Sequence, residues 1–336
     1  MNNRYTKKWF AILAGATALS LTLAACGSNS NDTGGASSSP AASSAASAPA
    51  SAASTAPAER TLKDGLGHDV KIPANPKRII ASYLEDHLVA IGVMPIAQWG
   101  TSKGSKQDYL NDHLSAIPPV PSDLPFEAVA GFNPDLLIIG DTSTVAGDKY
   151  SQYSKIAPTF VLGDEINGDW RQALLKVGEV LDKKAEAQKA LDTYDQKAKD
   201  AKDKLQKASG AKSAAAIWLV GNKFFVVSEA RSSGTVLYKD LGFTVPAAVK
   251  EISAAGKANW NSISMEKLAT LDADYIFLVN SDTATGSEAL KDPVWGTIPA
   301  VKNNQVFQFN KAKSWLYSGA VANSMIIDDV LKSIVK

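Results

Sequence analysis

The sequence predicts an α/β fold with two lobes joined by a long connecting helix. Short apolar runs alternate with helical stretches along most of the chain, which is typical of mostly parallel sheets. Between the two halves, residues 169–207 contain no proline and a single internal glycine, Gly178. Apolar residues recur there at helical spacing, and the opposite, Lys/Asp-rich face is typical of a helix surface exposed to solvent.

Four strands are predicted in each half of the chain. In the first half they span residues 78–82, 95–99, 136–139 and 159–162, and in the second half 214–220, 224–227, 275–279 and 306–309. The predicted domains are a signal peptide (1–25), a lipidated cysteine with a disordered tether (26–58), an N-terminal lobe (59–166), the connecting helix (167–208) and a C-terminal lobe (209–336).

The first residues have the pattern of a secretory signal. Arg4, Lys7 and Lys8 precede a short apolar run that ends in LAACG at 23–27, which resembles a bacterial lipobox. We therefore expect a diacyl lipid on Cys26, the only cysteine, because two acyl chains give stable membrane attachment. The Ser/Ala/Pro-rich segment that follows contains no large apolar residue. It is expected to be a flexible tether with a reach of roughly 30 Å.

Composition and motifs favour a binding protein over an enzyme. Lys plus Arg (35) and Asp plus Glu (34) nearly balance, so neither nucleic acid nor another acidic partner is indicated. Nucleophile-elbow, P-loop and zinc-protease motifs are absent from the sequence. The three histidines, His68, His87 and His113, are too far apart in sequence to suggest a metal site, and His87 is expected on a helix surface or at a cleft edge. No cofactor is expected.

Several ordered segments resemble the iron–siderophore binding proteins of ABC importers, a cluster that also includes vitamin B12 and haem receptors. In the first half these are DGLGHDVKIP (64–73), NPKRII (75–80), FEAV (126–129), NPDLLI (133–138) and KIAPT (155–159), and in the second half GTVLYKDLGF (234–243) and WLYSG (315–319). The resemblance implies two Rossmann-like lobes bridged by a single long α-helix, with the ligand cleft between the lobes and little closure on binding. Because the siderophore itself saturates the iron, no protein metal ligands are required.

Candidate ligand-binding residues follow the predicted strands, because ligands collect beyond the carboxyl ends of strands in open α/β sheets. Aromatic and cationic residues recur at these positions in both lobes. The predicted set is Tyr83, Trp99, Lys103, Trp218, Arg231, Trp315 and Tyr317. Among these, Trp315 and Tyr317 are the preferred individual candidates.

The expected ligand is a ferric siderophore of the hydroxamate or citrate–hydroxamate type. Relatives of the tris-catecholate class tend to carry basic residues on the strand that enters the second lobe, whereas residues 216–220 (AIWLV) contain none. Ferric catecholate, haem and cobalamin remain alternatives, and a free-metal receptor or a lipid-anchored enzyme that acts on siderophores is less favoured.

The resemblance also implies one exposed glutamate on each lobe that pairs with arginines of the ABC permease. These are Glu127 and Glu266, each in the first turn of a predicted helix that precedes a strand. Acidic residues are common in a first turn because of the helix dipole, but the matched placement in both halves favours docking. The expected protein is a monomer anchored on the extracellular face of a cell membrane, of the Gram-positive type.

Overall fold

The structure is a computed structural model that describes residues 58–256 and 258–335. The predicted signal peptide, the lipidation residue Cys26 and all of the tether except its last residue lie outside this range. In the part that is described, no helix combines the length and apolar character needed to cross a bilayer.

The N-terminal lobe is built on parallel strands. An antiparallel hairpin, β1 (Arg60–Lys63) with β2 (Asp69–Ile72), precedes it. The strands of the lobe are β3 (Ile79–Ile80), β4 (Gln98–Gly100), β5 (Pro119–Pro121), β6 (Leu136–Ile139) and β7 (Thr159–Val161). Parallel pairing joins β3, β6 and β7 and also β4 with β5, and a parallel bridge between Ile80 and Ala97 links the two groups. The resulting order is β5-β4-β3-β6-β7.

Short helices connect these strands. They are α1 (Glu85–Ala90), α2 (Asn111–Leu114), α3 (Phe126–Gly131), α4 (Lys149–Ile156) and α5 (Asp164–Asn167), with 3-10 turns at Asp108–Leu110 and Ser143–Val145. The helices α1, α3 and α5 follow β3, β5 and β7, so their N-termini lie at the carboxyl edge of the sheet.

The C-terminal lobe has a mixed five-stranded sheet in the order β10-β9-β8-β11-β12. Its strands are β8 (Ala214–Val220), β9 (Lys223–Val227), β10 (Trp260–Ile263), β11 (Tyr275–Asn280) and β12 (Val306–Asn310). The three strands β8, β11 and β12 are parallel, whereas β9 is antiparallel to both β8 and β10. It follows that β10 runs in the same direction as β8.

Two longer helices connect the lobes where a single one was predicted. They are α6 (Trp170–Val180) and α7 (Lys184–Ser209), and α7 has 26 residues. Asp182, with a φ of 57°, lies in the turn between them. Arg60 donates to the carbonyls of Glu179 and Val180 and so satisfies the end of α6. The long bridging helix is confirmed as α7, but it begins later than expected. The break was not predicted because the turn contains neither proline nor glycine.

The remaining helices belong to the second half of the chain. They are α8 (Ser232–Gly234), which continues into a π-helical turn at Thr235–Asp240, α9 (Ala247–Ala255), α10 (Met265–Ala269), α11 (Pro299–Lys302) and α12 (Ala320–Ile334). Further 3-10 turns lie at Thr283–Thr285, Glu288–Lys291, Trp295–Thr297 and Ser314–Leu316.

One apolar core continues from lobe to lobe. It combines residues of both sheets with the buried faces of three helices; representatives are Leu136 and Ile138 of β6, Ala214 and Ala216 of β8, Leu174 of α6, Tyr194 of α7 and Ile326 of α12. The other face of each sheet has its own separate core. The helices α6, α7 and α12 therefore support the two sheets from one side as a single packed layer.

All eight predicted strands are present, with ends shifted by up to a few residues. Two edge strands were not predicted as strands. Because Pro119 and Pro121 flank a single apolar residue, β5 lacks an apolar run, and β10 carries the polar residues Asn261 and Ser262. Prolines are tolerated at a sheet edge, where one side of the strand has no hydrogen-bonding partner.

Candidate ligand cleft

A cleft of about 630 Å³ lies between the lobes. Its walls combine residues from the carboxyl ends of strands in both lobes with the start of α6. The lining includes Tyr83, His87, Asp141, Asp164, Trp170, Arg171, Glu229, Arg231, Lys239 and Tyr317. This volume lies within the range of small-molecule sites, and its position matches the one expected for ligands in open α/β sheets.

Three aromatic rings from different elements cluster at the edge of the cleft, and two of them, Tyr83 and Tyr317, line it. The Tyr83 ring lies 5.2 Å from Trp99 in an edge-to-face arrangement and 6.2 Å from Tyr317. Tyr83 is 50% exposed and has a φ of 66°, an unusual conformation for a bulky residue. A strained backbone conformation persists only where the surrounding structure holds it in place, and such residues are common at functional sites. Here the strain presents an aromatic face to solvent in the cleft.

The loop that carries Arg231 is held close to Tyr317. Ser232 has a φ of 47° and donates its hydroxyl to the carbonyl of Tyr317 at 3.2 Å. At Gly234 a Cβ atom would lie 2.0 Å from the carbonyl oxygen of Ser228, so only glycine permits this tight turn. Arg231 is exposed in the cleft, and no carboxylate of the described residues forms an ion pair with it. Tyr83, Arg231 and Tyr317 thus line the cleft, whereas Trp99 packs against Tyr83 and lines an adjoining pocket instead. Contact of these residues with a ligand stays a prediction.

Trp315 is not a cleft residue, which corrects the sequence-based assignment. Its side chain is 0% exposed and stacks between Phe277 and Phe309, with ring centroids 5.0 Å away in both cases. The indole nitrogen donates to Asp329 at 3.1 Å. The polar neighbours of Trp315 in sequence suggested a surface loop, but the tryptophan itself points into the core.

Trp218 and Lys103 also lie outside the lining of the cleft. Trp218 packs against Phe225 on the neighbouring strand and against Trp260, and its indole donates to Ser281 at 2.9 Å. Lys103 is exposed on the loop between β4 and the 3-10 turn at Asp108–Leu110. Both residues were expected in the cleft because they lie at or after the ends of predicted strands. That expectation is wrong for both, because position along a strand does not fix the direction of a side chain.

Arg171 is a cleft cation that sequence reasoning missed. It pairs with Asp240 at 2.9 Å and Asp195 at 3.1 Å, and Tyr194 donates to Asp240 at 2.6 Å. The guanidinium also lies 4.5 Å from the centre of the Trp170 ring. This network ties α6, α7 and the π-helical turn together, so the charge of Arg171 is largely compensated by the protein itself.

Carboxylates outnumber uncompensated cations in the cleft. Asp141, Asp164, Asp169 and Glu229 line it, against Arg171, Arg231 and Lys239. Three of these acids have local structural partners, among them Asp141, which accepts from Ser143 and Thr144. Asp169 accepts from the first amides of α6, and Asp164 accepts from the amide and hydroxyl of Thr142, which lower the pKa of Asp164. With four carboxylates in the lining and one of its three cations already paired, the cleft disfavours a strongly anionic ligand.

Helix α1 begins with three consecutive buried ionisable residues, Glu85, Asp86 and His87. Burial raises the pKa of Glu85 to about 7 and that of Asp86 to about 6, and lowers the pKa of His87 to about 4. Of the two positions expected for His87, a helix surface or a cleft edge, the structure favours the second: His87 lines the cleft and is only 5% exposed. Its Nδ1 atom has no hydrogen-bond partner among the described residues.

Asp86 joins the two halves of the molecule. Its carboxylate accepts hydrogen bonds from the amides of Val321 and Ala322 in the first turn of α12, at 3.1 and 2.8 Å, and from the hydroxyl of Tyr109. At Gly319, which has a φ of 148°, a Cβ atom would lie 2.1 Å from the Asp86 carboxylate. An N-terminal-lobe carboxylate therefore caps the C-terminal helix, with a role that a capping residue of the helix itself normally fills.

A second pocket of about 300 Å³ adjoins the cleft. It shares Tyr83, Asp141 and Asn167 with the cleft, and its own lining includes Trp99 and Thr144. Across residues 58–256 and 258–335, no three His, Cys, Asp or Glu side chains are grouped as a metal site would require.

Glu127 and Glu266 occupy matching positions in the two lobes. Both are exposed, and each is the second residue of a short helix, α3 or α10. Each helix follows a strand whose carboxyl end lies at the cleft edge of its sheet, because β5 is parallel to β4 and β10 runs in the same direction as β8. The Glu266 carboxylate accepts hydrogen bonds from its own amide and from the side chain of Ser264, and these bonds lower its pKa. The two carboxylates are thus placed on the edges that carry the cleft.

The two-lobed fold, the bridging helix and the inter-lobe cleft together define a solute-binding protein. Residues 85–312 match the family model described as periplasmic binding protein. The chain belongs to this family, and the family membership expected from the sequence is confirmed.

Among curated proteins, the iron(3+)-hydroxamate-binding protein FhuD of Bacillus subtilis (strain 168) is 28% identical over 309 residues, which cover 90% of this chain and 89% of that protein. The probable siderophore-binding lipoprotein YfiY of the same organism is 26% identical over 286 residues, covering 81% and 86%. Staphylococcus aureus SirA, solved in complex with staphyloferrin B, superposes with a TM-score of 0.68 at 26% identity, covering 82% of this chain and 98% of that one.

Proposed function

We propose that this protein is an extracellular receptor that captures a ferric siderophore and delivers it to an ABC-importer permease. The ligand is a ferric hydroxamate or citrate–hydroxamate complex, held in the cleft between Tyr83, Tyr317 and Arg231, with Trp99 in the adjoining pocket. The siderophore supplies all ligands to the iron, and the protein recognises the outer surface of the complex through aromatic faces and hydrogen-bond donors. The protein acts as a binding module and not as an enzyme.

The charge balance of the cleft is the observation that carries this choice of ligand. Four carboxylates line it, and one of the three cations, Arg171, is already paired with two aspartates. A ferric tris-catecholate carries a charge of about −3, and placing it beside these acids would cost free energy by like-charge repulsion. A neutral or weakly charged ferric hydroxamate avoids that cost. The similarity to an iron(3+)-hydroxamate-binding protein over most of the chain supports the same choice.

Isothermal titration calorimetry with a panel of ligands tests the proposal. The panel contains a ferric trihydroxamate, a ferric citrate–hydroxamate, a ferric tris-catecholate, haem and cobalamin. We expect tight binding of one of the first two and weak or no binding of the others. Binding of only the catecholate, haem or cobalamin would contradict the choice of ligand. A steady turnover of intact siderophore would contradict the assignment as a binding protein.

We further propose that Glu127 and Glu266 dock the loaded receptor on the permease through arginines of the membrane protein. Their exposure and their matched positions at the cleft edges of the two lobes support this role. Changing both to Lys should abolish iron uptake in cells while leaving the ligand affinity of the purified protein unchanged. The paired control Glu59→Lys and Glu288→Lys reverses the charge of two other exposed glutamates, and unaltered uptake by the docking variant would refute the assignment.

Attachment to the membrane is assigned to a diacyl lipid on Cys26. The LAACG pattern supports it, together with the Ser/Ala/Pro-rich tether that follows. Cys26→Ser should release the protein into the medium and remove the incorporation of labelled palmitate. Retention of both membrane association and label in this variant would show that the anchor lies elsewhere.

A further inference from the structure

The second pocket has the composition of a cation-binding site. Its lining contains the aromatic residues Tyr83 and Trp99 and one carboxylate, Asp141, and all of its lining residues are described. None of them is Lys, Arg or His. An aromatic pair beside a carboxylate is the arrangement that recognises ammonium groups, because the ring faces and the carboxylate both carry negative potential.

Asp141 is oriented by its own turn. The Oδ1 atom accepts hydrogen bonds from the hydroxyl of Ser143, from the amide of Thr144 at 3.1 Å and from the hydroxyl of Thr144 at 3.2 Å. These bonds hold the carboxylate at the carboxyl end of β6. The other oxygen, Oδ2, accepts no hydrogen bond from any residue in the described ranges. One oxygen is thus used by the fold, and the other is available to a ligand.

Trp99 is anchored through its backbone, and its ring contacts that of Tyr83. The amide of Trp99 donates to the buried carboxylate of Glu85 at 2.6 Å, and the Trp99 ring packs edge-to-face against Tyr83. At Gly140 a Cβ atom would lie 2.6 Å from the side-chain oxygen of Asn167, so glycine lets Asn167 lie at the boundary shared by the pocket and the cleft. The pocket is therefore formed before any ligand arrives.

The size of the pocket suits one arm of a ligand and not a whole ligand. Its volume of about 300 Å³ is at the lower limit of ligand sites, whereas the adjoining cleft has about twice that volume, 630 Å³. Because Tyr83, Asp141 and Asn167 line both, a complex in the cleft can extend a flexible arm into the pocket.

We infer that this pocket binds the protonated amine of a short alkyl chain on the siderophore, with the ammonium paired to Asp141 Oδ2 and flanked by Tyr83 and Trp99. This inference rests on the proposed function and narrows it to ferric siderophores that carry a pendant primary ammonium. The ferric core occupies the cleft, and the arm selects among hydroxamates of similar core structure.

A matched set of ferric hydroxamates tests the inference by calorimetry. Ferrioxamine B ends in a primary ammonium, its N-acetyl derivative has the same chain without the charge, and ferrioxamine E is a ring without the arm. We expect the native protein to bind ferrioxamine B about tenfold more tightly than the other two. Equal affinities would overturn the inference while leaving siderophore capture intact. Failure to bind any of the three would instead contradict the assignment as a hydroxamate receptor.

Variants locate the effect. Asp141→Asn should reduce the affinity for ferrioxamine B to that of the N-acetyl form, and Trp99→Leu should reduce the preference more than Trp99→Phe does. Asp148→Asn removes an exposed carboxylate of the same lobe that lines neither pocket, and the tenfold preference should remain. A preference that persists in Asp141→Asn would refute the site. Thermal unfolding of each variant verifies the fold, and the comparison of ligands on the native protein needs no variant at all.

Discussion

At the scale of single residues, the cleft owes its shape to conformations that ordinary propensities disfavour. Tyr83 and Ser232 both have positive φ, and Gly234 and Gly319 fill positions that a Cβ would block. The sequence predicted that aromatics and Arg231 would follow strands, but it could not separate Tyr317, which reaches the cleft, from Trp315, which is buried two positions earlier. Such a distinction depends on rotation about the chain within a loop, for which no periodicity exists.

The buried carboxyl of Glu85 gives a pH-dependent prediction. Because burial raises the folded-state pKa of Glu85 to about 7 from the usual 4.5, the folded protein binds more protons than the unfolded chain between these values. Its contribution to stability is therefore lost as pH rises through this window. Glu85→Gln, which keeps the acceptor for the Trp99 amide, should become more stable relative to native protein at pH 8 than at pH 5, by about 1–3 kcal/mol.

Urea titrations of both proteins at the two pH values measure this difference. An exposed glutamate supplies the control, since Glu165→Gln should give the same stability difference at both pH values. A stability difference for Glu85→Gln that does not change with pH would show that the carboxyl is not held protonated by burial.

At the scale of elements, the bridge between the lobes depends on close packing of α6 against α7. A Cβ at Gly178 would lie 2.5 Å from the Cβ of Ala187 and 3.0 Å from the carbonyl oxygen of Lys183. The sequence showed Gly178 as the single glycine in a helical stretch, and the structure gives the reason for it. Periodicity predicted helical structure over most of this stretch, as one continuous helix. It could not reveal the turn at 181–183, because Asp182 in a left-handed conformation leaves no proline or glycine signal.

Gly178→Ala should therefore destabilise the protein, although alanine is the better helix former. We expect a loss of about 1–3 kcal/mol in the free energy of unfolding, because the added methyl group must separate the two helices. Gly131→Ala in α3 is the matched control, since its Cβ would meet nothing within 4 Å. Chemical denaturation should give a neutral or stabilising effect for the control, and equal effects in both variants would contradict the packing argument.

At the scale of the whole molecule, the lobes are linked by more than the bridging helix. The shared core through α6, α7 and α12, the Asp86 cap on α12 and the hydroxyl of Tyr317 on the Lys106 carbonyl all join them. The resemblance to siderophore receptors implied a stiff hinge, and these contacts support that prediction. The sequence predicted the two-lobed plan because strand and helix periodicities are local. The inter-lobe contacts are long-range and have no local signature.

Ligand binding should consequently leave the overall dimensions nearly unchanged. Small-angle X-ray scattering of the protein with and without its ferric siderophore should give radii of gyration that agree within roughly 1 Å. The variant Asp86→Ala loses the cap and is expected to be less stable, and its scattering reports whether the lobes then separate. A large contraction of the native protein on binding would contradict a stiff linkage and indicate a wide clamshell motion.

The cap that Asp86 provides also has a consequence for folding during synthesis of the chain. A ribosome produces residue 86 long before residues 320–322, so in a nascent N-terminal lobe the Asp86 carboxyl can bind the Tyr109 hydroxyl but lacks the two amides of α12. Burial of that group becomes favourable only when the last helix has emerged. The N-terminal lobe is therefore expected to reach its full stability only after the last helix has been synthesised.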